Sequence, residues 1–449
     1  MLILYLLLSV ALIVLLTARW KTHPFIALLL VALAFGFAAG LPLSEIIASI
    51  NGGFGDTMGK IGLLIVLGTI IGAFLENSGG AFALAEKVLG LVGRKRVSPA
   101  MGFIGYLVSI PVFADSGFIL LSPLCKSLAK KAGITLAGAA TALALGLLAS
   151  HTMVPPTPGP VAAAGILGAD VGLVLALGIP VSAISLLAGL FFVRRYAERT
   201  WLDPNPDLDD AAIQRRLREA PRAGLACLPI VVPIALIVMK SLLFSGGNVS
   251  GGWKEAAGFV GEPVVALLIG MFLSFLLPKK FDKEMLSATG WAGKAMVSAA
   301  SILLITGAGG IFGKILQNAG ITDVLGGAIA NSHLGLWLPF LLAAAIKTAQ
   351  GSSTVALITA ASIMSPLMAA AGFETDTAKA LVVLAMGAGS SVVSHANDSF
   401  FWVATQMSGM DVKTGYRLVS LGTLVQGTTA AVVLFLMGVV GQWLMVNGQ

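Results

Sequence analysis

Residues 68–79 read Gly68-Thr-Ile-Ile-Gly72-Ala-Phe-Leu-Glu76-Asn77-Ser-Gly79, and residues 309–320 read Gly309-Gly-Ile-Phe-Gly313-Lys-Ile-Leu-Gln317-Asn318-Ala-Gly320. Half of the twelve positions are identical, at a constant offset of 241. Two irregular clusters follow each copy, in the same order. After the first copy come Phe113-Ala-Asp115-Ser116-Gly117-Phe118 and a Ser150-His151-Thr152 segment that runs into Pro155-Pro156-Thr157-Pro158-Gly159-Pro160. After the second come Lys347-Thr348-Ala-Gln-Gly351-Ser352-Ser353-Thr354 and Ser394-His395-Ala-Asn397-Asp398-Ser399. GxxxG pairs such as Gly68/Gly72 also arise from helix packing alone, but packing does not account for this ordered recurrence. The chain reads as one unit written twice.

The solvent of that unit is lipid. Of 449 residues, 57% are hydrophobic and 11% charged, against about 25% charged in a soluble domain. The apolar residues fall in blocks of roughly twenty, enough to cross a hydrocarbon core about 30 Å thick. The net charge of +7 is scattered over short hydrophilic breaks, without the basic, aromatic-laced face of a nucleic-acid binder. No nucleic-acid partner is expected. Cys125 and Cys227 form no CxxC, and the four histidines have no metal-ligand spacing, so neither metal nor cofactor is expected. The first eighteen residues are apolar and followed by Arg19 and Lys21 without a small-residue cleavage site; they read as a first span.

Cytoplasmic loops of membrane proteins carry excess Lys and Arg. The basic clusters here are Arg19/Lys21, Arg94/Lys95/Arg96, Lys126/Lys130/Lys131, the arginines between Arg194 and Arg222, Lys279/Lys280/Lys283/Lys294, and Lys413/Arg417. Placing all of them on one side leaves about thirty apolar residues between Arg96 and Lys126 with both flanks inside. A helical hairpin that enters and returns satisfies this, and Leu334 to Pro366 dips in from the other side by the same reasoning. The expected architecture is an all-α polytopic membrane protein of two inverted repeats, each with a re-entrant hairpin and a broken helix. The first repeat covers 1–193, with its hairpin about 98–131 and broken helix about 134–168. A cytoplasmic linker covers 194–224, and the second repeat 225–449, with its hairpin about 334–366 and broken helix about 378–408. Prolines remove backbone donors, and non-helical backbone at membrane depth survives only where protein or a wet cavity covers it. Inverted repeats with discontinuous helices are a secondary-transporter design.

Phe-Ala-Asp-Ser-Gly-Phe-Ile-Leu at 113–120, Ser-His at 150–151 with Pro-Pro-Thr-Pro-Gly-Pro at 155–160, Gly-Ser-Ser-Thr-Val-Ala at 351–356 and Ser-His-Ala-Asn-Asp at 394–398 resemble the gluconate permease (GntP) family of the ion transporter superfamily. The similarity runs through the whole chain in the same order. It implies a proton-coupled symporter for sugar acids such as gluconate, in a bacterial inner membrane. It also implies a homodimer with a scaffold and an elevator-like moving domain. Ser116, Thr157, Ser399 and Lys347 depart from the gluconate members. They leave the substrate open to D-serine, fructuronate, idonate or glycerate.

Charges at membrane depth cost at least ~2.5–3.5 kcal/mol on insertion scales and usually serve ion or substrate pathways. Asp115 and Asp398 are therefore candidates for the coupling proton, the alternative being structural carboxylates that accept freed backbone N–H groups. Lys347 stands in the second hairpin, where it either meets the substrate carboxylate or snorkels to the interface. Ser116, Ser150, Thr152, Ser352, Ser353, Thr354, Ser394 and Asn397 offer neutral donors and acceptors for a polyhydroxylated substrate, although hydroxyls in helices also bond their own backbone. Gly117 and Gly351 would permit tight tips and close backbone approach. His151 and His395 occupy matching breaks, as proton shuttles or as satisfied structural groups. Glu76, matched by Gln317 in the other copy, is a further titrating candidate.

No HExxH or GxSxG is present, and Gly55 to Ile61 fails the P-loop pattern, so no enzymatic activity or ATP-driven transport is expected. A channel would show pore-lining filter segments or charged rings. An inorganic cation/proton antiporter would use the same carboxylates; Lys347 and the hydroxyl-rich tips favour an organic anion.

Overall fold

A computed structural model describes residues 1–93, 96–204, 218–245, 252–321, 323–324 and 334–447. Arg94 and Lys95, and residues 205–217 of the expected linker, lie outside the described residues. Where described, the chain is helical, without strands. Among the described residues, six helical stretches are long and apolar enough to cross a membrane: Leu43–Asn77, Leu136–Leu167, Val171–Arg199, Ala223–Ser241, Lys283–Asn318 and Val412–Val439.

After α1 (Leu2–Val14) and α2 (Pro24–Ala38), the long α3 (Leu43–Asn77) leads to α4 (Gly80–Val92). There follow the pair α5 (Val97–Val108) and α6 (Ala114–Ala132), the interrupted helix α7 (Leu136–Met153) and α8 (Pro158–Leu167), and α9 (Val171–Arg195). Then come α10 (Ala223–Ser245), α11 (Gly252–Val260), α12 (Pro263–Ser274) and the long α13 (Trp291–Asn318). A second pair, α14 (Trp337–Gln350) and α15 (Ser353–Met364), precedes a second interrupted helix, α16 (Asp376–Ser391) and α17 (Ser399–Met407). The chain ends in α18 (Leu421–Asn447), entered through a helical turn at Val412–Gly415 and a π-helical segment at Tyr416–Ser420. From α5 to α9 the helix starts recur at offsets of 239 to 241, at Val97/Trp337, Ala114/Ser353, Leu136/Asp376, Pro158/Ser399 and Val171/Val412, and the ends of α3 and α13, Asn77 and Asn318, lie 241 apart.

Local chemistry sets the interruptions. Pro155 forces Val154 before it into extended backbone (φ −117°, ψ 109°), as a residue preceding proline prefers. Helix α7 therefore runs through Ser150, His151 and Thr152 and stops at Met153, whereas the sequence placed these three in the break. Pro158 then opens α8 at a position where its missing N–H costs nothing. In the first hairpin the non-helical tip is 109–113, and Gly117 N–H donates to the Phe113 carbonyl. Asp115, Ser116 and Gly117 thus form the first turn of α6 instead of the tip itself. The second tip is only Gly351 and Ser352, between Gln350 and Ser353.

Packing is reciprocal. Helix α5 lies on α7, and α14 on α16; α6 touches α17, and α15 touches α8. Helices α7 and α16, and α9 and α18, meet their own counterparts. The long helices α3 and α13 cross at Gly53 and Gly310, where a Cβ on Gly53 would lie 2.6 Å from the Gly310 carbonyl and 2.8 Å from Ile311 Cα. Nearby, Asn318 Nδ2 donates to Ser49 Oγ at 2.9 Å. The GxxxG glycines also serve packing: a Cβ on Gly72 would collide with Pro111, and one on Gly309 with Ser362. Such contacts drive association where lipid removes the hydrophobic drive between helices.

Overpacking a tight crossing costs about 1–3 kcal/mol. Gly53→Val should therefore lower the melting temperature in detergent. Gly55→Ala, at an exposed helical position with open space around it, should leave it unchanged or raise it, because Ala is the better helix former.

Candidate functional site

The second hairpin tip and the second helix interruption meet at a buried ion pair. Lys347, in the last turn of α14, places Nζ 2.5 Å from Asp398 Oδ2, with side chains only 1% and 5% exposed. The same ammonium donates to the Gly351 carbonyl at the end of its helix, a favourable place for a cation. Asp398 is the N-cap of α17, and its Oδ1 accepts from the Phe400 N–H at 3.0 Å, a favourable place for an anion. Each charge therefore answers both its partner and the dipole of its own half-helix.

Neighbouring residues hold the pair. Ser394 Oγ donates to Asp398 Oδ2 at 2.5 Å. The Ser394 backbone is anchored by α18 and its π-helical entry: its N–H donates to Thr423 Oγ1 at 3.1 Å, and its carbonyl accepts from Ser420 Oγ. Before it, Val393 adopts φ +44°, a rare conformation for a β-branched residue, of a kind that persists only where its surroundings impose it. Asn397 Nδ2 and His395 Nε2 both reach the Thr348 carbonyl, at 2.8 and 2.9 Å. Gly351 has φ +97°, and a Cβ there would collide with the Asn397 carbonyl. Backbone conformation and close approach both require glycine.

The first half reaches this site through α6. Asp115 Oδ2 accepts from Ser399 Oγ at 3.2 Å, and Phe118 meets Phe400 edge-on at 6.1 Å. Among the described residues, Asp115 Oδ1 and Asn397 Oδ1 are buried without a hydrogen-bond partner, as is Nδ1 of His151, whose ring lies 6.1 Å from that of Phe113. Each such atom calls for an explanation, and three of them border one region.

The other sequence candidates are more dispersed. Ser150 Oγ donates to the Tyr106 carbonyl at 2.7 Å, and Thr152 Oγ1 to its own helix at Leu148. Ser352 caps α15 by accepting from Val355 N–H. Ser116, Ser353 and Thr354 are half-buried at the starts of α6 and α15. Gly117 packs against Leu147. Glu76 lies in the last turn of α3, and no described hydrogen bond links it to the ion pair. Ser399, Ser420 and Thr423 were not singled out from sequence. Ser399 stood out only as a departure from a family pattern, and hydroxyls on α18 are indistinguishable in sequence from self-bonded helical ones.

Long apolar helices, two interrupted spans and a buried charge cluster where they meet define a polytopic helical membrane transporter. The GntP family permease profile matches residues 1–440, and the chain belongs to that family. It is 34% identical over 420 residues to a gluconate permease of Pseudomonas aeruginosa, covering 91% of each chain. It is 31% identical over 439 residues to the D-serine transporter DsdX of Escherichia coli, covering 96% of this chain and 97% of that one. Its fold matches that of the Alcanivorax borkumensis YdaH transporter, described as having an unusual topology, with a TM-score of 0.59 at 17% identity over 93% of this chain and 99% of that one.

Removing one partner of a buried ion pair costs about 3–5 kcal/mol. Lys347→Met and Asp398→Asn should each lower thermal stability in detergent substantially. The double variant should lose less than the sum of the two. Strict additivity would mean that the two side chains are not energetically joined.

Proposed function

We propose that this protein imports a small hydroxylated carboxylate, gluconate or a related sugar acid, by symport with protons across the bacterial inner membrane. The observation that carries the reading is the Lys347–Asp398 pair beside Asp115: one buried cation and two carboxylates where a hairpin tip meets a helix break. Charged groups in such positions serve ion and substrate pathways. Helix N-termini attract anions, and the first turn of α6 has no side-chain cap, leaving backbone N–H groups near Asp115 and Ser116 for a substrate carboxylate. Ser116, Ser353, Thr354 and Asn397 supply polar groups for its hydroxyls.

The two halves are read as inverted repeats. The near-constant offset of the helix starts from α5 to α9 and the exchange of partners between α6/α17 and α15/α8 support this. Alternating access would then move the hairpins and interrupted helices as a body against α3 and α13, in an elevator-like manner, within a homodimer. D-serine is the second reading. The unpartnered Asp115 Oδ1 is an acceptor suited to an ammonium group, and a relative is named for that substrate.

Proteoliposomes loaded with the purified protein should accumulate labelled gluconate under an inward proton gradient, and not under a sodium gradient or with neither. Uptake of D-serine with no competition by gluconate would move the substrate assignment. Accumulation driven by sodium alone would contradict the proton.

A further inference from the structure

We propose that Asp115, and not Asp398, carries the proton that moves with the substrate; this deepens the symport reading above and rests on it. The two carboxylates are bonded very differently. Asp398 is ringed by donors: Lys347 Nζ and Ser394 Oγ on Oδ2, and the Phe400 N–H on Oδ1. A proton on either oxygen would displace one of these donors and weaken the direct ion pair of a buried ammonium. The penalty for leaving a buried ammonium unpaired argues against Asp398 as the carrier.

Asp115 has no such ring. Its Oδ2 accepts one hydrogen bond at 3.2 Å, from the exposed Ser399, and its Oδ1 is out of contact with water and has no partner. A proton arriving on Oδ1 breaks no hydrogen bond and removes a charge whose loss of hydration nothing offsets. Among the described residues, the charged groups acting on it are Lys347 on α14 and Asp398 at the start of α17, while the ring of His151 on α7 lies against Phe113, two residues before it. Lys347 and Asp398 cancel each other, so ionised Asp115 leaves the cluster with one net negative charge.

The coupling follows from that charge. A water-borne proton adds to the Asp115 carboxylate, giving the neutral acid and a neutral cluster that an anionic substrate can enter. On the other face the acid returns its proton to water, and the restored negative charge repels the anion. Proton and substrate thus bind and leave together, one bond to hydrogen forming and the same bond breaking.

Asp115→Asn, shaped like the protonated acid, separates this role from a structural one. In proteoliposomes it should retain measurable counterflow exchange of labelled gluconate, at a lower rate than wild type, yet only equalise inside and outside concentrations under a proton gradient. Its binding of gluconate should no longer weaken as pH rises. Asp115→Glu should restore proton-driven accumulation. Accumulation by Asp115→Asn equal to wild type would overturn the assignment. So would joint loss of counterflow and accumulation in a variant that still melts as a folded protein. A wild type that exchanges gluconate but ignores the proton gradient would overturn the symport reading itself, and the assignment with it.

Discussion

The ion pair between Lys347 and Asp398 is the constraint around which the second half is arranged. Neither charge could stay in so buried a place alone. Lys347 can be buried because it closes the end of α14 and faces a carboxylate; Asp398 can because it opens α17 and receives three donors. The pair pins the hairpin tip to the helix break. The fixed tip in turn presses Gly351 against Asn397 and presents the Thr348 carbonyl to Asn397 and His395.

Around that joint the molecule uses the means available to a protein in lipid. Small residues let helices approach at Gly53/Gly310 and at Gly72 beside Pro111, and hydroxyls satisfy the backbone that the breaks leave open. Ser420 and Thr423 supply the latter at Ser394. The π-helical segment at Tyr416–Ser420 leads directly into this contact, consistent with the tendency of π-bulges to lie near functional sites. Among the described residues the seam between α6 and α17 is lighter, with a hydrogen bond from Ser399 to Asp115 and a ring contact between Phe118 and Phe400. A firmly bonded joint on one side and a lighter seam on the other fit the proposal above, in which the site keeps its shape while the charge on Asp115 changes.

Much of this was legible in the sequence because punctuation in membrane helices is strong. Pro155, Pro156 and Pro158 marked one interruption, and Gly351-Ser352 the second tip. Boundaries were less legible. The sequence placed Ser150 to Thr152 in the break, but a proline constrains mainly the residue before it, so helix continues to Met153. It placed the first tip at Phe113 to Phe118, but Gly117 closes a helical turn onto Phe113. Partners were not legible at all: Lys347 and Asp398 were both candidates, yet nothing in a linear pattern joins residues 51 positions apart. The anchoring hydroxyls of α18 carried no signal for the same reason.

Proton movement coupled to the substrate is the point on which this account stands, and a pH electrode reads it without a label. Gluconate added outside proteoliposomes in weak buffer should raise the external pH in step with its entry. Entry with no pH change would contradict proton symport, and a fall in external pH would point to antiport.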